Sequence, residues 1–356
     1  MRGNHIDFSQ ARRISEATFS AWTRRLLPRA GDLLLAREAP VGPVVRVPDT
    51  RNVAPGQRTV LMRPDPEVVD PEFLYYFLTS PTQQSRLVQL AEGSTVPHLN
   101  VADVKSFPIS NLPGLRDQRA ISEVLGAIDR MLESIARRLL TIEELLAAQY
   151  ERVAAHSESV TIGSIAVQVR QRVGTSGSET SVPVVLSAVS TGHLKRSDDV
   201  FNKQVYSKSL ASYLVVPEEA IAYNPSRANI GSIGINEEGV TGAVSPVYVV
   251  AEVEPSWRQW LRSALRAPQT RAQIDALSSG SVRQALRFDD FASIMIPAPG
   301  RVGLDEYSRV ATTLRTRSRA LQEEGAVLRR TRDTLLPELL SGRVRVADEY
   351  KMEVGS

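Results

Sequence analysis

The sequence predicts an α/β protein of two similar domains, each followed by a long helix, with the two helices packed as an antiparallel coiled coil. Two observations predict this. Apolar residues recur every seven positions in two distant segments, and the second half of the chain repeats the order of elements in the first. Apolar rows at this spacing are typical of a helix that packs along another helix.

The first helix is predicted from Arg116 to about Val153, a stretch without proline and with Gly126 as its one glycine. At 1.5 Å per residue it would be roughly 50 Å long. We assign one packing row to Ile121, Ile128, Ile135 and Ile142, and a second row, three residues later, to Val124, Met131, Arg138 and Leu145. In this assignment Arg138 interrupts the second row, and Leu125, Leu132, Leu139 and Leu146 widen the stripe.

The second helix is predicted from Asp305 to about Leu340, with a row formed by Leu314, Leu321, Leu328 and Leu335. Arg317, Glu324 and Thr331 occupy the positions where a second apolar row would lie. This pattern disfavours a homodimeric coiled coil. It favours packing on the first helix and on partner subunits.

The first domain combines short apolar strands with helices that begin at proline. Strands are predicted at Leu33–Ala36, Val44–Val47 and Val60–Met62, and helices at Glu72–Leu78 and Thr82–Ala91, with Gly93 as a C-cap. A further strand, Val104–Ile109, is expected to close the domain.

The second half repeats this order. Ala220–Tyr223 matches the strand at Leu33, and Asn224-Pro225 marks a turn before Ile230–Ile235. From about residue 54 to 109 the halves align without a gap at an offset of 187, so that Val60 falls on Val247, Phe73 on Trp260 and Pro81 on Pro268. Ser159–Ile165 is predicted to be an opening strand without a counterpart, so the first domain is expected to lack about 25–30 N-terminal residues.

Composition limits the possible classes of protein. The chain has 356 residues, 42% hydrophobic and 23% charged, which fits two or three globular domains. It has no cysteine, so disulfides and thiolate metal sites are excluded. No apolar run reaches the length of a membrane span, and a cytoplasmic protein is expected. The net charge of +3 permits nucleic-acid binding without arguing for it.

Several motifs together resemble the specificity (S) subunits of type I restriction–modification systems. They are Gly31-Asp32-Leu33-Leu34-Leu35-Ala36-Arg37 with Val41-Gly42, Tyr223-Asn224-Pro225-Ser226-Arg227 with Asn229–Gly234, Gly93–Leu99 with Phe107–Ile109, Leu115–Ile121, and Leu335–Gly342. The resemblance covers almost the whole chain, and the order and duplication of the motifs are more specific than any one of them.

The resemblance implies a function and partners. Two target-recognition domains would each read one half of a bipartite DNA sequence, and the helices would set the gap between the halves. Two modification (methyltransferase) subunits would dock on the helices, and restriction subunits would join them. S-adenosylmethionine, ATP and magnesium would bind to those partners and no cofactor to this chain. The domains are expected at 1–114 and 157–302, the helices at 115–156 and 303–342, and a tail at 343–356.

No set of residues predicts catalysis. His5, His98, His156 and His193 lack metal-ligand spacing, and Asn224-Pro225-Ser226-Arg227 lacks the second proline and the aromatic residue of an adenine-methyltransferase loop. The glycines of Ile230–Gly234 do not have phosphate-loop spacing and are expected to permit a close strand crossing or a bulge. Asp289-Asp290 is expected to form a helix cap or a loop hydrogen bond and not a metal site, since only Asp290 has a counterpart, Asp103, in the repeat.

Candidate DNA contacts are residue types that read bases or bind phosphates. They are Arg2, Asn4, Arg12, Arg13 and Arg37 in the first domain, and Lys195, Arg196, Lys203, Lys208, Arg227 and Asn229 in the second. Arg37 and Arg227 rank first because they follow equivalent strands. The unmatched loops Val169–Gly177 and Ser190–Ser207 are further candidates for base reading.

Two other functions remain open. A non-catalytic coiled-coil scaffold with two protein-binding domains would give the same helices, and it would lack a basic face and salt-dependent DNA affinity. A methyltransferase fused to a recognition domain would need a glycine-rich cofactor loop and a complete catalytic motif, and the sequence has neither.

Overall fold

The structure is a computed structural model, and it describes residues 4, 6, 8, 9, 11–49, 52–91, 97–109, 112–175, 184–189, 192–200, 209–278 and 285–347. The chain divides into two compact units. Unit 1 comprises residues 1–136 and 322–356, and unit 2 comprises residues 137–321. Within the described ranges, no helix is both long and apolar enough to cross a membrane.

Unit 1 contains a small antiparallel sheet covered by helices. Its elements are α1 (Glu16–Thr23), β1 (Leu33–Arg37), β2 (Val41–Arg46), β3 (Thr59–Met62), α2 (Pro71–Thr79), α3 (Pro81–Leu90), α4 (Val101–Lys105) and the first part of α5 (Leu115–Ala154). The strands are ordered β2-β1-β3, as expected from the three apolar runs. Asp70 caps α2 by accepting the N–H of Phe73, and Pro71 occupies the first turn.

One prediction for unit 1 is wrong, and one helix was not predicted. Val104–Ile109 is not a strand, because Val101–Lys105 forms α4. Asn100 and Asp103 form a capping box in which Asp103, the counterpart of Asp290, accepts the N–H of Asn100 at 2.8 Å. Helix α1, which Ser15 caps, lies in a stretch that the sequence pattern left unassigned. The proposed C-cap Gly93 lies outside the described residues.

Unit 2 contains a larger sheet. Its elements are the second part of α5, then β4 (Glu158–Thr161), β5 (Ala166–Val169), β6 (Val184–Val189), β7 (His193–Arg196), α6 (Ser197–Val200), β8 (Leu214–Val216), β9 (Ile221–Tyr223), β10 (Ile233–Asn236), β11 (Gly242–Val244), β12 (Val249–Val253), α7 (Arg258–Ala264), α8 (Pro268–Ser278), α9 (Phe288–Ser293), β13 (Met295–Ala298) and the first part of α10 (Arg301–Leu340). Eight strands form one sheet in the order β5-β12-β9-β10-β7-β6-β11-β8, and β4 pairs with β13 separately. Two predictions are partly wrong here, since Ser159–Ile165 is a strand only to Thr161 and Ser190–Ser207 contains β7 and α6 instead of one loop.

The three-stranded core is duplicated, although the predicted alignment needs a correction. The order β10-β9-β12 in unit 2 repeats β2-β1-β3 in unit 1. Val60 lies opposite Leu35, and Val250 lies opposite Ala222, the counterpart of Leu35. Val60 therefore corresponds to Val250 and not to Val247, because cross-strand register, which sequence matching does not see, determines equivalence. The offset of 187 holds again from α2, where Phe73 and Trp260 are both buried, and Pro81 and Pro268 both begin the next helix.

The glycines of Ile230–Gly234 have the predicted structural role. A Cβ atom at Gly234 would overlap the backbone of His193 on the parallel neighbour β7. The site therefore requires glycine so that two strands can approach closely.

The two long helices are antiparallel. In unit 1, Ile121 and Leu125 of α5 share a buried cluster with Leu336 and Leu339 of α10. In unit 2, Arg152 of α5 forms an ion pair with Glu306 of α10 at 3.4 Å. Contacts move toward lower numbers on α10 as they move toward higher numbers on α5, which confirms the predicted antiparallel packing.

The packing rows differ from the predicted ones. Ile121, Ile128, Ile135 and Ile142 are all buried, as expected. The assigned second row is not, because Met131 and Leu145 are about half exposed and Arg138 is exposed. The buried partner row is four residues after the isoleucines, with Leu125 and Leu146 buried and Leu132 and Leu139 half-buried. Arg138 therefore lies outside the buried packing rows and does not interrupt them.

Helix α10 shows the same shift. Leu321 is buried, and Leu314, Leu328 and Leu335 are half-buried. Arg317, Glu324 and Thr331 are exposed, so they are not a packing row. The inner second row is Ala311, Ser318, Gly325, Arg332 and Leu339. Small residues at three of these positions leave room for the large side chains of α5.

Candidate nucleic-acid interface

The connection between β9 and β10 is a tightly built loop that presents polar side chains. Asn224 accepts the N–H of Ser226 at 3.1 Å, which starts the predicted turn at Pro225–Arg227. The N–H groups of Ser232 and Gly231 donate to the carbonyls of Arg227 and Ala228 at 3.1 Å. Leu286 anchors the loop from outside by donating its N–H to Pro225 at 3.0 Å. The loop's own hydrogen bonds therefore fix its backbone conformation without a ligand.

Two candidates lie on this loop and face solvent. Ala228 is fully buried, while its neighbours Arg227 and Asn229 are exposed. Among the described residues, neither side chain of this pair has a hydrogen-bond or ion-pair partner. A guanidinium and an amide held out by a rigid loop can donate to phosphate oxygens or base edges.

Lys195 and Arg196 lie on β7 and not on a loop. Both are exposed, but Arg196 forms an ion pair with Glu238 at 2.9 Å, which neutralises its charge locally. Strand β7 runs parallel to β10 and pairs with its last residues, Ile235 and Asn236. Lys195 and Arg196 are therefore near the end of β10 opposite to Arg227 and Asn229, roughly 15 Å away at 3.3 Å per residue. The structure does not bring these two pairs together.

The candidates of unit 1 have mixed surroundings. Arg12 and Arg13 are exposed just before α1. Asn4 accepts the N–H of Val44 at 3.0 Å, which ties it to β2. Arg37 donates to the carbonyls of Gln57 at 3.2 Å and Leu99 at 3.1 Å, so its guanidinium joins three chain segments. This geometry gives Arg37 a structural role, and it no longer ranks beside Arg227. Arg2, Lys203 and Lys208 lie outside the described residues.

A charged cluster that the sequence did not indicate joins the sheet of unit 2 to its helix segments. Glu237, after β10, forms ion pairs with buried Arg262 and with Arg319 of α10. Arg266 forms an ion pair with Glu143 of α5 at 2.6 Å. Burial, and then neighbouring Arg315, lower the pKa of Arg262 to about 9. In the sequence these arginines occur as two pairs four residues apart, Arg262 with Arg266 and Arg315 with Arg319. This spacing places each pair on one side of a helix and could have indicated the cluster.

His193 also belongs to this cluster. Its Nδ1 lies 2.5 Å from a carboxylate oxygen of Glu237. Burial, and then the positive charges of Arg266 and Arg262, lower the pKa of His193 to about 4, so the ring is neutral near pH 7. A neutral ring between charged groups is consistent with a packing role. Within the described ranges, no group of histidine and carboxylate residues has the geometry of a metal site.

Aromatic side chains secure the same junction. Trp260 is fully buried with its ring centroid 4.4 Å from Tyr150 of α5 and 5.0 Å from Tyr307 of α10. Its indole N–H donates to Pro297 at 2.7 Å. In unit 1, Tyr76 donates to Asp129 of α5 at 2.7 Å, and Asp129 also binds Arg332 of α10 at 3.1 Å. In each unit, these contacts attach the α/β domain to the segments of both α5 and α10 that belong to that unit.

Comparisons with known proteins agree with this architecture. The family described as type I restriction modification DNA specificity domain matches residues 23–144. A putative type I specificity subunit of Mycoplasma pneumoniae is 35% identical over 65 residues, which are 18% of this chain and 17% of that relative. The matched segment is thus a small part of that relative's length.

Solved structures give the fold. The S subunit of a type I restriction–modification system from M. genitalium matches with a TM-score of 0.60 at 18% identity, covering 88% of this chain and 84% of that one. The HsdS subunit from Thermoanaerobacter tengcongensis matches with a TM-score of 0.34 at 19% identity, covering 89% and 82%. The first of these structures shows that the fold is shared over most of the chain, and the family model matches its first part.

Proposed function

We propose that the chain is the sequence-specific DNA-binding subunit of a type I restriction–modification complex. It recognises a bipartite target and directs adenine-N6 methylation or cleavage by its partners. The duplicated three-stranded core, each copy followed by a long helix, carries this proposal. A repeated reader in one chain suits two DNA half-sites at a constant separation.

The chain itself has no catalytic part in this proposal. Two modification subunits bring S-adenosylmethionine, and restriction subunits bring ATP and magnesium. One side of α5 supports docking of partners, because Met131 and Leu145, which lie two heptads apart, are 52% and 51% exposed. Apolar side chains exposed along a helix are typical of a protein-binding surface. The assembly is expected to work in the cytoplasm, where the DNA is.

The experiment that tests this proposal is a map of N6-methyladenine. The chain is co-expressed with its methyltransferase subunit, and genomic DNA is read by single-molecule sequencing. We expect a bipartite motif that disappears when the chain is omitted. Methylation that is unchanged without the chain would contradict the proposal and favour the scaffold function.

The same methylation map can show which end of β10 contacts the bases. Arg227→Ala is expected to weaken methylation about tenfold or more and to relax one half of the motif, since an arginine contact to a base contributes about 1–3 kcal/mol. Arg196→Ala, at the opposite end, is expected to leave the motif unchanged. The reverse result would assign base reading to the β7 end.

A further inference from the structure

The connection between β9 and β10 is longer than its counterpart in the other copy of the strand core. Residues 38–40 join β1 to β2 in unit 1, whereas residues 224–232 join β9 to β10 in unit 2. Both strand pairs are antiparallel, so the hairpin forms with the shorter connection as well as with the longer one. Extra loop residues on a shared scaffold are a common place for binding side chains.

The longer connection presents a mixed set of side chains to solvent. The exposed ones are Ser226, Arg227, Asn229 and Ile230. The first three are residue types that contact DNA, but Ile230 is an apolar side chain that is 66% exposed. Turns favour glycine, proline and small polar residues, and β-branched side chains favour strands. Neither the turn nor the core therefore accounts for an isoleucine here.

The backbone on both sides of Ile230 is fixed. Gly231 donates its N–H to Ala228 at 3.1 Å, and Ser232 donates its N–H to Arg227 at 3.1 Å. Ala228 is fully buried, and Gly231 has a φ of +88°, a conformation that favours glycine. Ile230 is thus held in solvent by a hydrogen-bonded turn, in a place where an apolar side chain could meet a ligand without rearrangement.

Exposure alone does not distinguish Ile230 from other apolar side chains. Val247, in the turn between β11 and β12, is 62% exposed, but its neighbours Pro246 and Tyr248 carry no charge. Ile230 instead follows Asn229 directly, on a turn that also presents Arg227. In the part of the chain that the structure describes, the side chain of Asn229 has no hydrogen-bond partner.

This pair of neighbours matches the major-groove edge of an A·T base pair. Adenine offers N6 and N7, which an asparagine amide can bind together, and thymine offers a C5 methyl group, which takes apolar contacts. An exposed amide next to an exposed apolar side chain provides one group for each. A guanidinium on the same turn can bind a guanine or a phosphate beside them.

We propose that Ile230 packs on the C5 methyl group of a thymine in the half-site that unit 2 reads, with Asn229 on an adjacent adenine. This inference rests on the proposed function and adds one base to it. Covering the methyl group removes apolar surface of both partners from water, so the contact favours thymine over a pyrimidine that lacks the methyl group.

The test uses duplexes that carry the motif from the methylation map, with each thymine of both strands replaced in turn by deoxyuridine, which lacks only the methyl group. Fluorescence anisotropy measures their binding to the full chain in complex with its modification subunits. We expect one thymine whose replacement weakens binding about three- to fivefold, the effect of about one methyl group left uncovered. Equal binding of all duplexes would overturn the inference, and so would a motif without thymine.

A matched pair of variants assigns the effect to Ile230. Ile230→Ala is expected to keep the melting temperature, since the side chain is exposed, and to lose the preference for thymine over deoxyuridine at that one position. Val247→Ala, the control at a similarly exposed apolar residue, is expected to keep the full preference. An Ile230→Ala variant that still prefers thymine there would overturn the inference while leaving the proposed function intact. Failure of the proposed function is distinguishable, because it would show earlier, as a methylation map without any motif that depends on the chain.

Discussion

Asp32 shows how the Gly-Asp motif before β1 is used. Its carboxylate is buried and accepts two hydrogen bonds from Arg63, both at 2.7 Å, and one from the N–H of Arg29 at 2.9 Å. Burial opposes ionisation, but these bonds outweigh it and hold the pKa of Asp32 below its usual value. The motif is therefore a structural anchor that joins β1 to the residue after β3.

Asp32→Asn is expected to lower the unfolding free energy of unit 1 by about 2 kcal/mol at pH 7, because Arg63 loses its charged partner. The folded-state pKa lies below the unfolded one, so this stabilisation is present at neutral pH and is lost as pH falls through the lowered pKa. Urea unfolding between pH 7 and pH 3 measures both effects. The variant should lose less stability in acid than the wild type.

Glu133→Gln, an exposed position on α5, is the control for removing one carboxylate. It is expected to change stability by less than about 0.5 kcal/mol at pH 7. An equal acid dependence in wild type and Asp32→Asn would contradict the anchor role of Asp32.

At the scale of the element, the helix pair depends on which rows of side chains meet. Gly325 lies on the inner face of α10, and a Cβ atom built there would be 3.6 Å from Cγ2 of Ile135 on α5. This is ordinary contact distance, so a methyl group fits and anything longer does not. The small row of α10 therefore receives the isoleucine row of α5.

Gly325→Ala is expected to raise the unfolding free energy by about 0.5–1 kcal/mol, since glycine is a poor helix former and the methyl group fits. Gly325→Leu is expected to lower it by about 1–3 kcal/mol through overpacking against Ile135. Thermal and urea unfolding of the two variants give the comparison. A stabilising leucine would mean that the inner face is not the one described.

At the scale of the whole molecule, both long helices contribute residues to both units. We expect their length to set the gap between the two DNA half-sites. Inserting four helical residues after Arg137 in α5, together with four after Leu321 in α10, adds about 6 Å of helix. The gap in the methylated motif should then lengthen by about two base pairs, as read by single-molecule sequencing.

A substitution control at the same places, with four residues exchanged and none added, should leave the gap unchanged. An unchanged gap in the insertion variant, with normal methylation, would contradict the spacing role of the helices. Loss of both half-sites together would instead indicate that the insertion disturbs assembly.

Much of the fold could be predicted because local patterns carry it. Leu33–Ala36 and Val60–Met62 are apolar runs that became β1 and β3, and Pro71 and Pro81 begin α2 and α3. Val104–Ile109 misled the prediction because Val104 and Lys105 end the short helix α4, whose counterpart in unit 2 is α9. Only Pro108 and Ile109 correspond to residues of β13.

The candidate site could be predicted only in outline. Exposed Arg227 and Asn229 agree with their sequence setting, a short turn rich in polar residues. Arg37 occupies a similar place in the sequence, yet its guanidinium is bound to two carbonyls of distant segments. The ion pair of Glu237 and Arg262 joins residues far apart in the chain, and no local sequence pattern predicts such a contact.

The sequence by itself determined that the chain has two long helices, a duplicated strand core and motifs that resemble those of specificity subunits. Heptad spacing and apolar runs are local properties, and each element forms from its own residues. Only the tertiary structure decided that the isoleucines of α5 share their buried face with leucines four positions later, and that Val60 corresponds to Val250. These follow from cross-strand register and from which faces meet, and both depend on contacts between segments distant in the chain.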